Sequence, residues 1–157
     1  MKILRFDLLA FGPFTGVSTI LAEGSQGLHV IYGPNEAGKS SALRALTDLF
    51  FGIPERTADD FVHPKPKLRL GARIRRSDGA ELAFLRHKAR KVTLTEADGV
   101  TPLSPVELDR YLGGVDEERF RRQFGIDHDE YPALRRWARR FRTLPGFKTM
   151  PGIPDYH

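Results

Sequence analysis

The chain has no cysteine, so neither a disulfide framework nor a thiolate metal site is open to it. No apolar run approaches the ~20 residues that a bilayer-spanning helix needs, which argues against a membrane partner. The opening stretch MKILRFDLLAFGPF starts basic and apolar, but Arg5 and Asp7 interrupt it. No small-residue cleavage site follows, as a secretory leader would require. No internal repeat is present. What these absences leave is a cytoplasmic protein, and 157 residues with 40% apolar and 29% charged content suffice to bury a core without cross-links.

An excess of charge is also missing from most of the chain. The net charge is +5, yet Met1 to Tyr131 carries 19 Lys and Arg against 19 Asp and Glu. The surplus lies in Pro132 to His157, where Arg135, Arg136, Arg139, Arg140, Arg142 and Lys148 face only Asp155. On sequence alone, a nucleic-acid argument from overall charge is therefore an argument about the tail. Two regions follow: residues 1–131, and a basic tail over 132–157.

Along the first region, Lys2 to Ala10 reads as a strand, Gly12-Pro13 as a turn and Val17 to Leu21 as a second strand, giving a hairpin. Gly24 to Gly27 is a turn. Leu28 to Tyr32 (LHVIY) is short, apolar, β-branched and bounded by glycines, the pattern of a strand buried on both faces. After the segment GPNEAGKSS, Leu43, Leu46, Leu49 and Phe50 recur at helical spacing until Gly52 and Pro54 end the helix. Arg56 to Lys67 reads as an irregular polar connection. Leu68 to Arg75, Glu81 to His87 and Val92 to Thr95 alternate and are separated by turn residues, as in an antiparallel meander. Ser104-Pro105-Val106-Glu107 has the form of a capped helix start ending near Leu112, and Asp116 opens a second short helix.

The decisive motif is G-x-x-x-x-G-K-[ST], present as Gly33, Gly38, Lys39 and Ser40 between the expected strand and helix. Glycines allow successive backbone N–H groups to converge on phosphates, and a helix start offers further unpaired donors and a positive dipole end. The expected nucleotide-binding residues are Gly33, Pro34, Asn35, Glu36, Ala37, Gly38, Lys39, Ser40 and Ser41. Lys39 supplies charge to the β- and γ-phosphates, Ser40 ligates Mg²⁺, and Ser41 reaches the α-phosphate. The guanine-reading N-K-x-D pattern is absent, which favours ATP.

MKILRFDLLAFGPFTG, GLHVIYGPNEAGKSSALRALTDLFFGIPERTADDFVHP, LRLGARIRRSDGAELAF and LGGVDEERFRRQFGIDHDE together resemble the N-terminus of YhaN-like AAA-family ATPases, relatives of SbcC and the structural-maintenance-of-chromosomes (SMC) proteins. The likeness covers about residues 1–131, and Glu36 stands where many related loops have glycine. The resemblance implies an α/β P-loop NTPase, the N-terminal lobe of an ABC-type head, with an antiparallel β meander and short C-terminal helices. It implies paired heads that sandwich ATP, a complementary C-terminal lobe or homodimer as partner, and a role in DNA repair or chromosome maintenance. It also sets FGIDHDE near the Q-loop, with His128 by the usual glutamine.

The chain departs from this pattern after Tyr131. No apolar strand ending in Asp-Glu provides a Walker B pair, no LSGG-type signature is present, and no heptads follow. No catalytic residue is therefore assigned, and ATP hydrolysis is expected only if a C-terminal lobe completes the site. Two alternatives stand beside the ATPase-lobe reading: a stand-alone P-loop kinase-like phosphotransferase, and a truncated, non-catalytic fragment. The tail reads as a frame-shifted or truncated remnant, as an amphipathic helix from Ala133 to Phe141, or as an arginine-rich phosphate contact. Asp127 to Glu130 are consecutive and do not form a metal set. His29 reads as structural within its strand, and His63 in the connection after the helix is a candidate to lie near the nucleotide, which sequence alone does not place.

Overall fold

The computed structural model describes residues 1–21, 29 and 31–124. The expected turn at Gly24 to Gly27, the Q-loop assignment to His128, the acidic run Asp127 to Glu130 and every reading of the tail lie outside the described residues.

Five strands form one antiparallel sheet: β1 Lys2–Phe11, β2 Phe14–Ile20, β3 Arg69–Arg75, β4 Glu81–His87 and β5 Leu94–Glu96, in the order β2-β1-β3-β4-β5. The β1–β2 hairpin closes through Gly12, whose φ of 53° suits glycine. The register aligns Phe6 with Ala72 and Ala72 with Phe84. Strand alternation puts Phe6, Leu8, Leu70, Ala72, Ile74 and Phe84 in one buried cluster, while Arg5, Arg69 and Arg73 at the other parity are exposed. The α/β architecture, the antiparallel meander and the short helices all follow the sequence pattern.

Helix α1, Lys39–Phe51, covers the buried face with Ala45, Leu49 and Phe50 and stops where the Gly52 N–H bonds to the Asp48 carbonyl. Arg86 of β4 points to the same side. Its Nε donates to the Leu49 carbonyl and Nη2 to the Phe50 carbonyl, both at 2.9 Å, so a buried cation closes the negative end of the helix. Burial pushes the Arg86 pKa down to about 10, which keeps it charged at neutral pH. Helix α2, Pro105–Leu112, ends at Gly113 in the left-handed region, and α3, Glu117–Phe124, sets the Phe120 ring against Phe50 and Phe51. Asp116 caps α3 as expected, accepting the Arg119 N–H at 2.7 Å. Ser104 does not act as expected: it makes no side-chain capping bond, and the turn closes by Glu107 N–H to the Ser104 carbonyl.

The expected strand Leu28 to Tyr32 needs correction at His29, Ile31 and Tyr32, while Leu28 and Val30 lie outside the described residues. Ile31 and Tyr32 belong to no strand and are 64% and 90% exposed, and His29 is exposed rather than structural. A strand buried on both faces forms only with neighbours to satisfy its N–H and C=O groups. Among the described residues no strand pairs with His29, Ile31 or Tyr32. Among the described residues, no helix is long and apolar enough to cross a membrane.

Candidate functional site

Gly33 to Gly38 form an irregular loop that feeds directly into α1. At its apex Glu36 adopts φ 66°, a left-handed conformation that costs a side-chain-bearing residue roughly 1 kcal/mol. Gly38 follows with φ 85°. A Cβ there would sit 2.6 Å from the Phe14 ring, so the loop is pressed against the start of β2 and only glycine fits. Ala37 N–H reaches the Pro34 carbonyl at 3.3 Å, and Ala42 N–H bonds to the Gly38 carbonyl at 2.9 Å to close the first helical turn.

The start of α1 has no side-chain cap and no acidic residue in its first turn. Its first amide donors and the positive dipole end therefore face an exposed loop without a competing oxygen from a cap. Lys39 is exposed, and its Nζ donates to the Gly33 carbonyl at 2.8 Å and the Pro34 carbonyl at 2.6 Å. The ammonium thus folds back across the loop. Pro34, Asn35, Glu36, Ala37 and Ser40 are exposed as well. Ser41 is buried, and its Oγ accepts from Arg44 Nη2 at 3.1 Å. Of the nine expected residues, eight line an open loop and the Ser41 side chain turns inward.

Arg44 and Asp59, which sequence reasoning left unassigned, complete the surroundings together with His63, the histidine singled out in the connection after the helix. Arg44 grips Asp59 with two bonds of 2.7 Å, from Nε and Nη2, and the Asp59 side chain is 1% exposed. The Asp59 carbonyl accepts the Gly12 N–H at 2.8 Å. His63 Nε2 lies 2.9 Å from both Thr15 Oγ1 and the Phe14 carbonyl. The connection after α1 thus folds back onto the hairpin turn beside the Gly33–Gly38 loop. Arg44 follows Ser41 by three residues on one helix face, a usable signal; Asp59 in a polar stretch carried none.

No group of three or more His, Cys, Asp or Glu side chains is gathered for a metal among the described residues. Ser40, the residue expected to ligate Mg²⁺, is exposed in the first turn of α1. A lone hydroxyl would suit an ion held mainly by phosphate oxygens and water rather than by a protein cage.

Charge that balances along the sequence is segregated in space. Arg69 pairs across the sheet with His87, and Lys88 N–H bonds to the Leu68 carbonyl, which brings KPKLR (65–69) beside HKARK (87–91). Lys67, Arg69, Arg90 and Lys91 are exposed and have no ion-pair partner among the described residues. Burial, then the charges of Arg69 and Arg86, hold the His87 pKa below its ordinary value.

A family model described as AAA domain matches residues 1–135, most of the chain. The chain belongs to the AAA domain family. No curated protein matches it. Membership in the AAA domain family makes this a nucleotide-binding, ATPase-type domain, and the matched span includes the Gly33–Gly38 loop, α1 and the whole sheet.

Proposed function

We propose that this AAA domain is the ATP-binding N-terminal lobe of an SMC/SbcC-like head, holding Mg·ATP at Gly33–Ser41. The observation that carries the reading is the uncapped start of α1 directly behind a glycine loop that also supplies Lys39. Incoming phosphate oxygens would take the Lys39 ammonium from the Gly33 and Pro34 carbonyls, exchanging two neutral acceptors for a charged one. The backbone donors of the loop and first turn would hold the β- and γ-phosphates. Ser40 would ligate Mg²⁺, which offsets phosphate charge when bound.

Turnover needs carboxylates that order Mg²⁺ and the attacking water, and the sequence has no apolar strand ending in Asp-Glu to supply them. The chain would therefore bind ATP and hydrolyse it only with a C-terminal lobe, in a homodimer or a complementary assembly. Role in DNA repair or chromosome maintenance is supported by the unpaired cations Lys67, Arg69, Arg90 and Lys91, which suit a phosphate backbone.

Calorimetry with Mg·ATP on wild type and Lys39→Ala, with phosphate release followed in the same samples, tests the reading. Binding that Lys39→Ala abolishes, without turnover, is expected. Turnover by the chain alone would refute the incomplete-lobe reading, and absence of wild-type binding would refute ATP binding.

A further inference from the structure

The first turn of α1 carries the donors of the phosphate site, yet no side-chain cap secures it. An Asp, Ser or Thr at the cap would do so, but its oxygen would occupy a donor that an anion needs. Gly38 leaves those donors open at the expense of that hold. The turn is held instead from its buried side. Ser41 Oγ accepts from Arg44 Nη2, and the same guanidinium is forked onto both oxygens of Asp59.

Asp59 is itself fixed twice, by its side chain to Arg44 and by its carbonyl to Gly12 N–H. The junction is tight. A Cβ on Gly12 would lie 3.1 Å from both Asp59 Oδ1 and Ser41 Cβ, at a φ that already disfavours one. Three segments distant in sequence therefore meet here: the hairpin turn, the start of α1 and the connection that follows it. Stability is a weak reason for such a pair, since buried ion pairs are often replaceable by apolar groups without loss. What a two-point, planar pair supplies is direction.

We propose that Asp59, acting through Arg44 and Ser41, is a positioning residue of the phosphate site, an inference that rests on the ATP-binding reading of the loop. It orients the first turn of α1 while its own carboxylate stays neutralised by Arg44. The site thus gains a rigid helix start without a carboxylate among its donors.

The test compares wild type, Asp59→Asn and Arg44→Lys as full chains. Two readouts are taken: amide exchange without nucleotide, and Mg·ATP affinity. The Ala42 amide, which closes the first turn, reports on the helix start; the Leu49 amide reports on the rest of α1. Asp59→Asn is expected to speed Ala42 exchange about tenfold relative to Leu49 and to weaken Mg·ATP binding by about the same factor. Arg44→Lys keeps the charge but cannot hold Asp59 and Ser41 with one fork, so it should show both effects. It decides the matter should Asp59→Asn fail to fold. A purely structural role would speed Ala42 and Leu49 together and leave the affinity of folded protein unchanged, which would overturn the proposal. Wild type that fails to bind Mg·ATP would refute the ATP reading, and the Ala42-to-Leu49 comparison would still decide the positioning role.

Discussion

Asp48 sits in the middle of α1, 5% exposed, and its carboxyl pKa is raised from 3.8 to about 7. Burial is the main cause. The Asp59 charge adds to it, Arg121 of α3 opposes it, Glu117 of α3 adds again, and Arg44 opposes. Between pH 4 and 7 the folded chain keeps a proton that the unfolded chain has released. Stability contributed by this group is therefore full at low pH and declines as pH rises toward 7, levelling off above it. The displacement corresponds to about 4 kcal/mol, an upper figure because water and side-chain movement relieve part of it. Asp48→Asn places a neutral isostere of the protonated acid at the site. Near pH 4 it should leave stability unchanged, and at pH 8 it should stabilise by about 2–4 kcal/mol, or on the order of 10 °C in melting temperature. Thermal unfolding of both proteins from pH 4 to 8 measures the difference, in which titrations common to both cancel. Parallel curves would refute the reasoning. A variant less stable at pH 8 would mean that Asp48 is ionised and paired, with Arg44 or Arg121 as the partner to look for.

Two further substitutions test how the loop and helix are held. Gly38→Ala should destabilise by about 1–3 kcal/mol and abolish Mg·ATP binding, because it combines left-handed strain with a 2.6 Å approach to Phe14. Adding Phe14→Ala should remove the steric part alone, so recovery of full stability in the double variant would contradict the backbone argument. Arg86→Met keeps the volume but leaves the Leu49 and Phe50 carbonyls without their buried donors. A loss of about 2 kcal/mol is expected in chemical denaturation, and an unchanged midpoint would show that water replaces the guanidinium.

The parts of the fold that could be read from sequence are those whose partners lie close along the chain. β4 spans Glu81–His87 as alternation predicts, and α1 ends at Gly52 where glycine and proline end the apolar spacing. Arg86 shows the limit of that rule. Alternation assigns it to the buried face, but only the position of the α1 C-terminus, some 36 residues earlier in sequence, explains why a cation belongs there. Asp59 is a second case, since its worth depends on Arg44 and Gly12 together and no spacing links the three. In the Gly33–Ser41 segment, the proposed phosphate site rests on residue types alone, because backbone donors and a helix start need glycines, Lys39 and little else. Ile31 and Tyr32 failed for the converse reason. Their β-branched and aromatic side chains describe a strand with neighbours on either side, and pattern cannot say which chain provides them. Their exposure immediately before Gly33 puts the uncovered apolar surface beside the proposed phosphate site. That is the surface a complementary lobe would cover in the proposed assembly, so nucleotide binding and lobe association would draw on the same few residues.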